Sequence, residues 1–471
     1  MEDVAMEDKY NRRNRYTYGL GTFGRDMVYT MVSMYLMFYL TDILNLSAGE
    51  IWWITGIMLG ARIFDAMNDP VMGVIVDNTH TRWGRFKPWI LIGLVLASLF
   101  TILLFSDFGL KGGAFIAVFG IIYVLWGISY TMNDIAYWSM IPSLTKDQKE
   151  REKMGSIARI CADIGLFLVV ALLVPVTEAL GSALGSMQKG YYVFVLILVV
   201  IMIGFQLITV FGVREPELEE KGRGAEADPE QTHTTLREMG RVIFKNDQLL
   251  IAAIAMALYM TGYCTTTSFG LYYFKYVYGD ESVYTLFAVV LGISQIAALS
   301  VFPTLSKRWN RRSLYLFSTI LVTAGYILFF MTPGGMLAPV AAAGILIFVG
   351  EAFMQLMMLM FLTDTVEYGE WKFHKRNDSV TLSLQSFINK FGGAIASGVT
   401  GATVILSGMK TAETAADMTA QGIVILKTAM LILPLVLIIA GFILHRKKYV
   451  LDEEMYARVV RENEERRLAG K

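Results

Sequence analysis

Arg62, Asp65 and Asp69 are spaced i, i+3 and i+7, which on a helix stacks them on one face with Asn68 beside them. Tyr130, Asp134 and Trp138 follow at i, i+4 and i+8 and form a second stripe, with Thr131 adjacent. Arg25 with Asp26, Arg159 with Asp163, and Lys390 add further charges inside otherwise apolar stretches. Two kinds of chemistry suit these residue types. Carboxylates joined by amide and hydroxyl oxygens can wrap a small hard cation such as Na⁺, or share a proton. A carboxylate, a guanidinium and an aromatic ring facing one cavity suit a sugar, because charged groups bind ring hydroxyls while indole or phenol stacks on the apolar ring face. A plainer role, the interhelix salt bridge, applies most readily to Arg25, Arg62 and Asp163, with Asp26, Arg159 and Lys390 between the two cases. Asp65, Asp69 and Asp134 look unpaired, and three such carboxylates on two helices invite a cation.

The elements that must carry these residues are membrane helices. The chain has 471 residues, of which 55% are hydrophobic and only 17% charged, with a mean hydropathy of +0.50. Apolar runs of about 20 residues, the length needed to cross the hydrocarbon core, recur from end to end. We place spans at 18–44, 50–76, 87–107, 113–141, 155–179, 190–213, 248–277, 283–304, 313–332, 337–362, 379–407 and 421–445. A charge at the centre of such a helix costs roughly 2.5–3.5 kcal/mol on insertion scales, so charges kept there usually face a cavity. The fold class expected is therefore an all-α membrane protein of twelve transmembrane helices.

An even number of spans puts both termini on one side, and charge asymmetry says which. Arg82, Arg85 and Lys87 follow the second span, and Lys146, Lys149, Arg151 and Lys153 the fourth. Lys307, Arg308, Arg311 and Arg312 follow the eighth, and Lys372, Lys375 and Arg376 the tenth. The opposite loops offer little beyond Lys111, Lys189 and Lys410. By the positive-inside rule the basic loops and both termini are cytoplasmic. Arg82-Trp83-Gly84-Arg85 after the second span returns as Arg308-Trp309-Asn310-Arg311 after the eighth, 226 residues later. That repeat points to a duplicated six-helix unit, the major facilitator plan, with its substrate site near mid-membrane between the halves. The expected organisation is a six-helix bundle over 1–213, a cytoplasmic middle loop over 214–247 with room for a short surface helix, a second bundle over 248–445, and a cytoplasmic tail over 446–471.

Other features point away from alternatives. The formal net charge is zero, so there is no basic footprint for nucleic acid. Cys161 and Cys264 lie in apolar segments and read as buried small side chains rather than a disulfide. There is no zinc-like spacing, and no removable signal peptide is expected at the N-terminus, the first span being read as the targeting segment. The run Met354, Met357, Met358, Met360 reads as flexible packing, the four histidines are scattered, and Glu351 and Lys275 stay without a role. No nucleophile–base pair, metal cluster or phosphate-binding glycine loop appears, so the chain is not expected to be an enzyme.

Several blocks resemble the glycoside–pentoside–hexuronide cation symporters, the melibiose permease-like group of the major facilitator superfamily. They are Tyr18-Gly19-Leu20-Gly21 with Phe23-Gly24-Arg25-Asp26, then Ala61-Arg62-Ile63-Phe64-Asp65-Ala66-Met67-Asn68-Asp69-Pro70, then Thr81-Arg82-Trp83-Gly84-Arg85-Phe86-Lys87-Pro88-Trp89. Asp134-Ile135-Ala136-Tyr137-Trp138-Ser139 and Asp364-Thr365-Val366-Glu367-Tyr368-Gly369-Glu370 complete the series. The resemblance implies that Asp65, Asn68, Asp69 and Thr131 hold the coupling cation, with Asp134 close to both cation and sugar. Asp65 and Asp69 would be the metal ligands if the cation is Na⁺. It implies sugar contacts from Asp26, Asp134, Trp138 and Arg159, joined by Tyr130 from its own stripe, and from Gln385, Ser386 and Lys390 in the second half. The sequence departs from the melibiose type at Gln355, where that type has a sugar-side tryptophan, and at Asn389, where it has a small apolar residue. The particular sugar is therefore open.

The expected function is secondary active transport: symport of a sugar or glycoside with Na⁺, Li⁺ or H⁺ by alternating access. The carrier would work as a monomer with no cofactor, as a multi-pass protein of the cytoplasmic membrane in contact with the lipid bilayer. Two alternatives stand beside it, a carrier of the same fold for lysolipids or other amphipathic solutes, and a sugar sensor that binds without transporting.

Overall fold

The helices begin where local chemistry can satisfy the first free backbone N–H groups. Ser47 and Glu50 form a reciprocal capping box, with the Ser47 N–H 2.9 Å from the Glu50 carboxylate. Asn246 and Asn310 accept from the N–H groups of Leu249 and Ser313 at 3.0 and 2.8 Å. In this computed structural model residues 2–214, 240, 243–280, 283–374, 376–409, 412 and 414–469 are described. Among them there are helices and no strands. Nearly all of the expected middle loop, together with Lys375 and Lys410, lies outside the described residues.

The helices gather into two units. The first comprises Met1–Met239 with Asp378–Ser383, and the second Gly240–Asn377 with Leu384–Lys471. The first unit contains α1 (Glu2–Gly19), α2 (Gly21–Thr30), α3 (Ala48–Asp77), α4 (Lys87–Leu104), α5 (Gly112–Ser139), α6 (Gln148–Leu184) and α7 (Met187–Gly212). After α2 the run continues to Ile43 through two wide π-type turns, Met31–Tyr35 and Tyr39–Ile43. The helices are joined by close backbone approach and by buried polar links, the two means of association that work where apolar burial gives no drive. A Cβ on Gly93 of α4 would stand 2.7 Å from the Asn133 backbone nitrogen of α5. Asn133 Nδ2 donates to the Ile90 carbonyl and to Gln206 Oε1, both at 2.9 Å, and Gln206 Nε2 donates to the Gly21 carbonyl at 2.9 Å. This one bracket ties α2, α4, α5 and α7 together.

The second unit contains α8 (Asp247–Ser268), α9 (Val283–Ser306), α10 (Arg311–Met331), α11 (Leu337–Phe373), α12 (Asp378–Leu406) from Leu384 onward, α13 (Leu433–Lys448) and α14 (Glu453–Ala469). A segment Ala420–Lys427 and a π-type turn Thr428–Ile432 lead into α13. Antiparallel α10 and α11 pack through glycines: a Cβ on Gly325 would meet the Ala343 carbonyl at 2.9 Å, and one on Gly350 the Ser318 carbonyl at 2.9 Å. The first six residues of α12 pack with the first unit.

Among the described residues nine helical segments are long and apolar enough to cross a membrane. Residues 18–44, 50–76 and 379–407, also expected as spans, are helical but fall outside that set. They carry Arg25 and Asp26, then Arg62, Asp65 and Asp69, then Gln385 and Lys390. The three segments outside that set hold most of the polar candidates.

Candidate functional site

α3 and α5 run side by side in the same direction, and their residues meet in step. Gly120 faces Ile57, Tyr123 is hydrogen-bonded to Arg62, Gly127 faces Asp65, and Thr131 faces Asp69. Successive meeting points are three to five residues apart on each helix, which is the repeat of one helical face. The hydroxyl of Thr131 donates to Asp69 Oδ1 at 3.3 Å, and both residues are buried. A Cβ on Gly127 would stand 2.7 Å from Asp65 Oδ1 and 3.0 Å from Oδ2. Gly127 is thus a notch that admits the Asp65 carboxylate. The buried Nδ2 of Asn68 has no hydrogen-bond partner among the described residues. No group of three or more His, Cys, Asp and Glu side chains suited to a metal ion occurs among the described residues. A Na⁺ ion would therefore have to be held by two carboxylates with neutral oxygens, the Thr131 hydroxyl and the Asn68 amide being candidates; hard cations accept such mixed oxygen sets.

One turn further along α5 lies a second cluster, centred on Arg25 of α2. Its guanidinium pairs with Asp26 at 3.0 Å and with Asp134 at 3.1 Å, and the side chain is 3% exposed. It also lies over the rings of Tyr137 and Trp138, 4.8 and 5.4 Å from their centroids. Trp138 Nε1 donates to Asp134 Oδ1 at 3.1 Å. Tyr130 stacks on Tyr29 with centroids 4.9 Å apart and lies within electrostatic reach of Arg25, Asp26 and Asp134. Tyr18 and Tyr137 support Arg25 from behind: their rings stack at 4.4 Å, and each hydroxyl bonds to the other's carbonyl. Asp163 of α6 lies within electrostatic reach of Arg159 and Asp26. The structure thus brings Asp26, Tyr130, Asp134 and Trp138 around one guanidinium, while Arg159 is linked to the cluster only through Asp163.

Asp134 corrects an expectation. The sequence suggests a carboxylate without a partner, but Arg25 pairs with it from another helix. Arg25, for which a salt bridge is the plainer of two readings, is the hub of the cluster, pairing with both carboxylates. Gly127 gave no signal, because nothing in a sequence says what a glycine faces.

In the second unit, Gln385, Ser386 and Lys390 lie on α12, with Gln385 above Asn389 and Ser386 above Lys390 one turn apart. Gln385 Oε1 and Asn389 Oδ1 are buried and have no hydrogen-bond partner among the described residues. Buried polar atoms are normally satisfied, so this face is made to meet something polar.

The two copies of the repeated tetrad do equivalent work. Arg85 pairs with Asp378 and lies 3.9 Å from Asp77, whose carboxylate accepts from the N–H groups of Ser379 and Val380 at 2.9 Å each. Arg311 pairs with Asp364 in a buried contact.

Comparison with known proteins gives the family and the fold. The family model described as MFS/sugar transport protein matches residues 17–453. The chain belongs to that family. The lactose permease of Lactobacillus delbrueckii subsp. bulgaricus is 32% identical over 459 residues, covering 95% of this chain and 72% of that protein. The raffinose carrier protein of Pediococcus pentosaceus is 32% identical over 475 residues, covering 98% and 73%. Among solved structures, the E. coli fucose:proton symporter superposes with a TM-score of 0.68 at 13% identity, covering 93% of this chain and 98% of that one, which identifies the major facilitator fold. As a member of the MFS/sugar transport protein family the chain is a membrane sugar transporter, not an enzyme.

Proposed function

We propose that this transporter moves a sugar or glycoside together with Na⁺, Li⁺ or H⁺ by alternating access, as a twelve-span monomer in the cytoplasmic membrane with both termini inside. Residues 1–213 and 248–445 would form its two bundles, 214–247 the cytoplasmic connection and 446–471 the tail. One observation carries the coupling: α5 presents Thr131 to Asp69, and within the next two turns Asp134 and Trp138 to Arg25. A single rigid helix therefore bears on both the cation set and the sugar set.

In this reading Asp65, Asn68, Asp69 and Thr131 take the cation, with Asp134 next to both ligands. Like charges on Asp65 and Asp69 repel, and a bound cation removes that repulsion and settles α5 against α3. Asp26, Asp134 and Arg159 then bond to sugar hydroxyls while Trp138 and Tyr130 cover an apolar ring face. Gln385, Ser386 and Lys390 supply the polar groups of the second half. The names of the lactose and raffinose carriers favour a galactoside among sugars. Linkage requires that the cation raise sugar affinity by the factor by which sugar raises cation affinity.

The test is uptake of labelled lactose and raffinose into proteoliposomes, with Na⁺, Li⁺ or proton gradients imposed one at a time. Accumulation should follow one of these gradients and collapse when it is dissipated. Accumulation indifferent to every cation gradient would refute coupling, and binding without any translocation would make the protein a sensor.

A further inference from the structure

One of the buried acids that the sites above leave unused stands apart, because no ion pair of it occurs among the described residues. Glu351 lies near the middle of α11, 1% exposed. Its Oε2 has no hydrogen-bond partner, and no ion pair of Glu351 occurs among the described residues. The groups around it are neutral. From α8, the Tyr259 hydroxyl donates to the Glu351 backbone carbonyl at 3.0 Å, so its proton is used, and the Cys264 thiol lies within electrostatic reach. From α10, the Tyr326 hydroxyl is 3.4 Å from Glu351 Oε1, and Tyr263 of α8 lies behind it. From α9, the stretch 286–306 contains no titratable residue at all. A lone carboxylate in this setting would carry an uncompensated charge in a low-dielectric interior, a state proteins avoid by neutralising the group.

The hydroxyls give an independent argument. Glu351 and Tyr326 belong to a chain of polar links that continues from the Tyr326 hydroxyl to Thr266 Oγ1 at 2.5 Å and from Thr266 to the Met430 carbonyl at 3.0 Å. Met430 sits in the π-type turn Thr428–Ile432, where the regular helical pattern is broken. Tyr326 and Thr266 hold one proton each, and the Met430 carbonyl can only accept. With Glu351 ionised, both ends of the chain are acceptors, and the two hydroxyl protons leave one of its links unfilled. With a proton on Glu351, every link is a hydrogen bond running one way: Glu351 to Tyr326, Tyr326 to Thr266, Thr266 to Met430.

We propose that Glu351 is a proton-binding site of the second unit, separate from the Asp65–Asp69 set, with Tyr326 and Thr266 as the neutral relay that holds its proton. Water reaching the cluster would let that proton leave, since a hydrated carboxylate no longer lacks partners. The exchange of this proton during transport rests on the sugar-carrier reading, whereas its presence in the sealed cluster does not.

The experiment is infrared spectroscopy of the full chain in lipid nanodiscs at neutral pH, in H₂O and D₂O. The wild type should show the carbonyl stretch of a protonated carboxylic acid, and Glu351→Gln should lose that band. Tyr326→Phe, which removes only a hydroxyl, should move the band to higher frequency by taking away the acid's hydrogen-bond acceptor. That variant also decides the matter if Glu351→Gln does not fold. In proteoliposomes, lactose counterflow measured across pH should lose one limb of its pH dependence in Glu351→Gln. A wild type without the acid band, a band unmoved by either substitution, or an unchanged counterflow profile overturns the proposal. A wild type that carries no lactose but shows the band overturns the galactoside reading instead, leaving the proton site standing.

Discussion

Gly127→Ala is the most informative single change, because it removes no ligand and adds one methyl group. The new Cβ would lie 2.7 Å from Asp65 Oδ1, 3.0 Å from Oδ2 and 3.2 Å from Cγ. Comfortable separations start near 3.5 Å, so the carboxylate must retreat by roughly 0.8 Å. Ligand distances in an ion site tolerate only about 0.2 Å. Changes that misplace a ligand without deleting it typically weaken ion affinity about 10–100-fold, which is about 1.4–2.7 kcal/mol. Destabilisation of the helix is not a competing explanation, since alanine is favoured over glycine in a helix interior by about 1 kcal/mol. The assay is sugar uptake as a function of Na⁺ or Li⁺ concentration at fixed pH, repeated as a pH titration without either ion. The half-maximal concentration of the coupling ion should rise about 10–100-fold, while sugar affinity at saturating ion stays close to wild type, as linkage demands. If the dependence on every cation is unaltered, Asp65 is not a ligand and Gly127 is merely a packing glycine.

Four further outcomes follow from the geometry. Arg25→Lys keeps the charge but cannot reach both Asp26 and Asp134, so sugar binding measured by calorimetry should weaken about tenfold or more, as loss of a charge-assisted hydrogen bond implies. Asp69→Asn should abolish cation dependence while sugar still binds, and Asp26→Ala should abolish sugar binding; the reverse pattern in parallel binding and uptake assays overturns the assignment. Asp77→Asn weakens two bonds to the start of α12, so hydrogen–deuterium exchange at Ser379 and Val380 should accelerate about tenfold or more. Arg311→Gln removes the guanidinium from a buried ion pair and should destabilise the second unit by about 3–5 kcal/mol, seen as a lower thermal midpoint in detergent.

Much of this was legible in the sequence. Apolar runs gave the helices, and helical periodicity put Asp65 with Asp69 and Asp134 with Trp138 on common faces. The repeated tetrad gave two positions with equivalent work, Arg85 and Arg311, both of which hold an aspartate. These features are local: they depend on residue type and on spacing along one chain segment, and a helix fixes the rest.

The tertiary structure alone decided which faces meet. It paired Asp134 with Arg25 from a helix more than a hundred residues earlier, set Asp65 into the space left by Gly127, and packed 378–383 with the first unit. It also turned Glu351, a residue without a role in the sequence, into an acid facing only neutral groups. Periodicity determines what shares a helix face, but the rotation of each helix and the choice of its neighbour come from close packing between segments far apart in sequence. That packing leaves no local trace.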